Sequence, residues 1–150
     1  MGELEIRAAT AEDLPAIVAM LADDPLGAQR ESPKDLTPYR EAFARLAADP
    51  NQRQIVAVRA DRVVGTLQLT VIPGLSRRGA TRSLIEGVRI HAEERGNGLG
   101  SQLIGWAVEE SRRSGCQLVE FTSDMTRTDA RRFYERLGFT ASHVGFKMQL

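Results

Sequence analysis

Apolar positions along the chain change period several times, and each change marks a new element. In Glu3 to Ala8, Leu4, Ile6 and Ala8 alternate with charged neighbours, the period-2 pattern of a half-buried strand. Thr10 then suits a helix cap and Glu12 and Asp13 a first turn, with Leu14, Ile17, Val18 and Leu21 as an apolar stripe at helical spacing. Asp23, Asp24, Pro25, Gly27, Ser32, Pro33 and Pro38 interrupt any regular period, so Asp23 to Pro38 is expected to be a long loop. Thr37 and Pro38 open a second helix to about Ala48, with Tyr39, Phe43 and Leu46 on one side and Asp49-Pro50-Asn51 as its stop.

Two β-branched runs follow, Gln54 to Val58 and Val63 to Val71, separated by Ala60-Asp61-Arg62 as in a hairpin. Pro73 and Gly74 end the second, and Arg77, Arg78 and Gly79 make a basic loop. Ser83 to His91 is expected to be a strand in which Leu84, Glu86, Val88 and Ile90 share one parity. A carboxylate is thus expected on an otherwise apolar face. Leu99 to Ser114 is the clearest helix, with Leu99, Leu103, Ile104, Ala107 and Val108 at helical spacing and Gly115 as its stop. Gln117 to Thr122 forms a short strand. Asp129 to Leu137 forms a helix with Ala130, Phe133, Tyr134 and Leu137 on one face, closed by Gly138, and Phe139 to Leu150 supplies one or two final strands. No repeat, low-complexity tract or linker interrupts this order, so residues 1–150 are read as one domain of α/β (α+β) class. A central mixed, mostly antiparallel β-sheet flanked by about four helices is expected.

Composition narrows the function. The 150 residues are 42% hydrophobic, enough for a single core. Twenty Lys and Arg balance twenty Asp and Glu, so no global field draws the chain to nucleic acid or an anionic membrane. A lone cysteine, Cys116, cannot form an internal disulfide, and no leading apolar run follows a basic start, so a cytoplasmic setting is expected. No apolar stretch approaches the roughly 20 residues that span a bilayer. His91, Cys116 and His143 stand apart from one another, without metal-ligand spacing, so no metal is expected.

The segment Arg95-Gly96-Asn97-Gly98-Leu99-Gly100-Ser101 joins a predicted strand to the best helix. Three glycines there let the backbone turn sharply, and the first helix amides are left to bind an anion such as a pyrophosphate. The same glycines are also compatible with a bare strand-to-helix turn. Neither the dinucleotide pattern G-x-G-x-x-G nor the Walker pattern is met, since Gly100 is followed by Ser101 and Gln102.

This loop resembles the [RQ]-x-x-G-x-[GA] loop of the GNAT N-acetyltransferases, through Arg95, Gly98 and Gly100. Ile85-Glu86-Gly87-Val88-Arg89-Ile90 is similar to the family's fourth strand, and Ala130 to Phe139 is similar to its motif A-x-x-[FL]-Y-x-x-x-G-F. The resemblance is strongest from about Arg82 to Thr140. It implies a GNAT-like fold and an acetyl-coenzyme A dependent N-acetyltransferase that acts on a primary amine of a small molecule by direct attack in a ternary complex. A non-catalytic acyl-coenzyme A sensor or partner module on the same fold is the alternative.

The resemblance also implies roles. Val88 and Ile90 would pair their backbones with the pantetheine arm, the Val88 amide would receive the oxyanion, and Arg95, Gly96, Asn97, Gly98, Leu99, Gly100 and Ser101 would line the pyrophosphate. Where many members carry an Asn this chain has Arg127, with Thr128 as the possible substitute, and Arg131 or Arg132 would meet the adenosine 3′-phosphate. Tyr134 would protonate the leaving thiolate, or else is simply core. Glu86 would be the base or hold the amine, or else pairs with a nearby arginine or sits at a solvated strand end; His91 and His143 are alternative bases. The acceptor would lie between Asp24 to Pro38 and Ile72 to Arg82, where acids and the arginines Arg77, Arg78 and Arg82 both occur, and a homodimer through a sheet edge or through the C-terminal strands, with Val144 to Leu150 as an edge strand, is expected.

Overall fold

Strands β1 (Leu4–Ala8), β2 (Gln52–Arg59), β3 (Arg62–Ile72), β4 (Arg82–Ile90) and β5 (Leu118–Phe121) lie side by side in chain order in the computed structural model, which describes residues 2–123 and 128–150. The first three pairings are antiparallel. A helical crossover separates β4 from β5, the connection that parallel neighbours need, so the sheet is mixed as expected. The helices are α1 (Leu14–Ala22), α2 (Pro25–Arg30), α3 (Thr37–Ala48), the single turn α4 (Ser76–Gly79), α5 (Leu99–Arg113) and α6 (Thr128–Arg136). The chain falls into two compact units, Met1–Glu120 and Phe121–Leu150.

The core of the first unit joins α1, β2, β3, β4 and α5 through side chains that are almost wholly buried. Ile17 and Val18 come from α1, Ile55 and Val56 from β2, Leu67 and Leu69 from β3, Ile85 from β4 and Leu103 and Ile104 from α5. Val108, expected on the buried stripe, is only half-buried. Between β4 and α5 the buried Ser83 hydroxyl meets that of Ser111 at 2.7 Å, and Ser111 donates to the Ala107 carbonyl at 2.8 Å. Both hydroxyls are therefore satisfied away from water.

Two expectations are corrected. Asp23 to Pro38 is not one loop: Pro25 takes the first position of α2, where its missing N–H costs nothing, and the Asp24 carboxylate accepts the Gly27 N–H at 2.5 Å. The breakers act here as starters. Residues 139–150 contain no strand, although Val144, Phe146, Met148 and Leu150 alternate and are exposed. Alternation sets side-chain direction, whereas a strand also needs a ladder partner, and none of the described residues supplies one.

The α1–α2 corner is sterically fixed. A Cβ built on Gly27 would lie 1.9 Å from the Leu21 carbonyl oxygen, a backbone atom that cannot swing aside. Gly27→Ala should therefore lose roughly 1–3 kcal/mol in urea unfolding, because overpacking outweighs the gain in helix propensity; a neutral or stabilised variant would show that the corner opens freely. At the other end of α1 the Asp13 carboxylate takes two hydrogen bonds from Arg7, at 2.7 and 3.1 Å, and one from the Thr10 N–H at 2.7 Å. The Arg7 hydrogen bond, outweighing the opposing desolvation, holds the Asp13 carboxyl below the ordinary range. Its contribution is present above the ordinary carboxylate pKa and is lost as pH falls through the lowered one. Asp13→Asn should accordingly flatten the decline of stability below about pH 4, as read by unfolding midpoints across that range.

Candidate active site

One extra residue in β4 sets the geometry of the site. Thr66 stands opposite Arg89 and Gln68 opposite Glu86, so two residues of β4 face the single Leu67 between them. Gly87, with φ +60°, takes this bulge. Before it, Ser83 and Ile85 are buried and Ser83 meets α5. After it, Ile90 lies on the α5 face, since a Cβ on Gly65 would meet both Ile90 at 3.2 Å and Leu103 at 3.4 Å. The expected common parity of Leu84, Glu86, Val88 and Ile90 is therefore broken. Glu86 is exposed on the face of the sheet opposite Ile90, next to a glycine whose own Cβ direction points at Leu21 of α1. An isolated glycine within a strand pattern was the signal for this bulge.

Past the bulge, the outer edge of β4 is open. The Gln117 N–H bonds the Thr81 carbonyl at 2.8 Å, which sets the start of β5 beside the start of β4. With four residues against nine, β5 ends before Val88 to Ile90. Among the described residues no strand covers that stretch. Its backbone can accept an extended chain as a further strand would.

The phosphate loop follows directly. A 3-10 turn over Ala92–Glu94 leads from β4, and Arg59 holds Glu94 at 2.6 Å, both side chains mostly buried. Gly96 and Gly98 both have positive φ, and a Cβ on either would meet nothing within 4 Å. Gly98 caps α5 without a side-chain hydrogen bond, and no acid stands in the first turn. Leu99 is buried and anchors the helix, while Asn97 and Ser101 are exposed. The leading amides of this fifteen-residue helix thus face outward with the positive end of its dipole. Arg95 donates to the Ile90 carbonyl at 3.2 Å and lies 3.6 Å from Asp23, half-exposed. These residues fit a coenzyme with an extended arm and a pyrophosphate.

In the second unit Tyr134 is half-buried among aromatic rings, with Phe121, Phe133 and Phe139 at centroid distances of 4.0, 5.2 and 6.2 Å. Arg131 is exposed and pairs with Glu135 at 2.9 Å. Thr128 opens α6; Arg127 lies outside the described residues. His91 is engaged by the Arg62 guanidinium at 2.8 Å, and His143 lies within 2.6 Å of the Ser142 hydroxyl. Burial pushes the Cys116 thiol up, away from thiolate chemistry. Sequence reading missed the ion pair between Arg89 and Asp24 at 3.5 Å, which ties α2 to β4.

The profile of the Acetyltransferase (GNAT) family matches residues 14–139. The chain belongs to this family of acetyltransferases. The aminoalkylphosphonate N-acetyltransferase of Salmonella typhimurium is 34% identical over 146 residues, covering 97% of this chain and 91% of that protein. The glucosamine 6-phosphate N-acetyltransferase of Trypanosoma brucei brucei is 36% identical over 89 residues, 59% of this chain and 58% of that protein. A crystal structure described as a transcriptional regulator of Bacillus halodurans C-125 superposes with a TM-score of 0.95 at 47% identity, covering 99% of this chain and all of the other. For this GNAT chain, Gly98→Val is the sharp test of the loop. It should abolish acetyl-coenzyme A binding in a calorimetric titration, while stability falls only by the cost of a left-handed side chain, roughly 1–2 kcal/mol. Full affinity in the folded variant would remove the loop from the site.

Proposed function

We propose that this GNAT acetyltransferase moves the acetyl group of acetyl-coenzyme A to a primary amine of a small molecule, by direct attack in a ternary complex. The observation that carries this reading is one continuous stretch, Glu86 to Ser101, holding an exposed carboxylate, an open strand edge and an uncapped helix start. The two curated relatives act on small amines by their names. A cytoplasmic setting and a homodimer belong to the same reading.

Acetyl-coenzyme A supplies an activated thioester carbonyl when bound. Val88 and Ile90 hold the pantetheine arm by backbone pairing, and the Val88 amide donates to the oxyanion that develops on the carbonyl. Arg95, Gly96, Asn97, Gly98, Leu99, Gly100 and Ser101 surround the pyrophosphate. Arg95 exchanges Asp23 for phosphate oxygen, Thr128 serves where Arg127 replaces the family's Asn, and Arg131 reaches the adenosine 3′-phosphate. Glu86 accepts a proton from the ammonium of the acceptor, directly or through a water. The freed nitrogen attacks the carbonyl carbon, the C–S bond breaks and the thiolate takes the Tyr134 hydroxyl proton, while the proton shed by the acylated nitrogen passes through water to restore that hydroxyl.

Tyr134→Phe keeps the ring among its aromatic neighbours and removes only the hydroxyl. Turnover should fall by roughly 10²- to 10⁴-fold, the range of a lost general acid, with coenzyme affinity and unfolding midpoint close to the parent's. Parent-like turnover where chemistry limits the rate would show that the ring is only packing. Glu86→Gln should lower kcat/KM and flatten the acidic limb of its pH profile. A panel of amines with thiol release as readout checks the whole reading, because a non-catalytic sensor binds acetyl-coenzyme A and releases no thiol.

A further inference from the structure

Resting on the acetyl-transfer reading, we infer that the acceptor is an amine carrying a phosphonate or phosphate group, and that the β3–β4 turn with Arg77 and Arg78 binds its phosphorus oxyanion. No acidic residue occurs between Asp61 and Glu86, so this stretch of sequence is purely cationic. Arg77 and Arg78 are exposed and, among the described residues, make no ion pair. Arg82 beside them is held by Glu120 at 2.6 Å.

Arg77 (φ 55°, ψ 41°), Arg78 (φ 61°, ψ 43°) and Gly79 (φ 75°) are three successive left-handed residues, and only the third is a glycine that adopts this shape without penalty. The turn is closed by the Gly79 N–H to the Leu75 carbonyl at 2.9 Å and the Ala80 N–H to the Ser76 carbonyl at 3.1 Å. Ala60 and Asp61 in the β2–β3 turn share this left-handed backbone, so what sets Arg77 and Arg78 apart is their charge: two adjacent exposed guanidinium groups without an ion-pair partner among the described residues can each bind an oxyanion bidentately.

A path links this turn to the carboxylate. Arg82, Leu84 and Glu86 alternate with the buried Ser83 and Ile85, so they share the face away from α5, and Leu84 and Glu86 stand opposite the half-buried Thr70 and Gln68 of β3. Arg82 and Glu86 are four residues apart, about 13 Å at ~3.3 Å per strand residue, and the turn with Arg77 and Arg78 lies just beyond Arg82. Glu86 offers a carboxylate for an ammonium and the turn offers guanidinium groups for an oxyanion, the two charges an amino-phosphonate carries. Both named relatives act on amines that carry phosphorus oxyanions.

The test compares an aminoalkylphosphonate with an alkylamine of equal chain length, at saturating acetyl-coenzyme A, with thiol release as readout. In the Arg77→Gln/Arg78→Gln double variant the kcat/KM ratio of phosphonate over alkylamine should fall at least tenfold, through KM for the phosphonate. Arg77→Gly/Arg78→Gly should lower the ratio equally while raising the unfolding midpoint, which separates the guanidinium groups from the fold. An unmoved ratio, or a parent enzyme that prefers the alkylamine, overturns the assignment and leaves acetyl transfer standing. Thiol release with neither amine, nor with any other amine of the panel, overturns the acetyl-transfer reading and this inference with it.

Discussion

The single unmatched residue in β4 governs what lies on either side of it. A bulge costs part of a ladder, and it is tolerated because β3 resumes its pairing immediately, with Gly65 opposite Ile90. By shifting parity at Gly87 it lets one strand serve the α5 core with Ile85 and Ile90 while turning Glu86 outward. A regular strand would put Glu86 and Ile90 on one face. Either the carboxylate would be buried without a partner, or the isoleucine would leave the core.

Charge balance reinforces this arrangement. The chain is neutral overall, yet adjacent acids at the α1–α2 corner receive arginines from two places, Arg95 on Asp23 and Arg89 on Asp24. The second pair is mostly shielded and also caps α2, so it positions a helix. The first is half in solvent at 3.6 Å, where an ion pair contributes little. Arg95 can therefore trade its partner for phosphate oxygens at small cost, whereas Arg89 cannot leave without unseating the corner.

What sequence reading recovered was local in origin. Helix α5 and the glycine loop before it are visible because stripe, stop and glycine spacing all lie within one short segment. Helix α2 was hidden because Pro25 and Gly27 read as breakers until Asp24 is seen as a cap and Leu21 as the backbone that leaves no room for a Cβ. The side on which Glu86 emerges depends on register with β3, information that no single strand contains. Residues 139–150 mislead for a related reason, since their alternation states which side chains would share a face and not whether another strand is present to pair with.

The bare start of α5 also fixes how fast its hydrogens trade with solvent. Amides inside the helix are protected by their carbonyl partners, but those of the first turn have none and are coupled to no unfolding event. Gly100 and Ser101, which are not buried, should exchange faster than the amides inside the helix, whereas the residue that opens it, Leu99, is wholly buried. A ligand seated on them would slow that exchange without any movement of the helix, so the loop keeps its own record of occupancy.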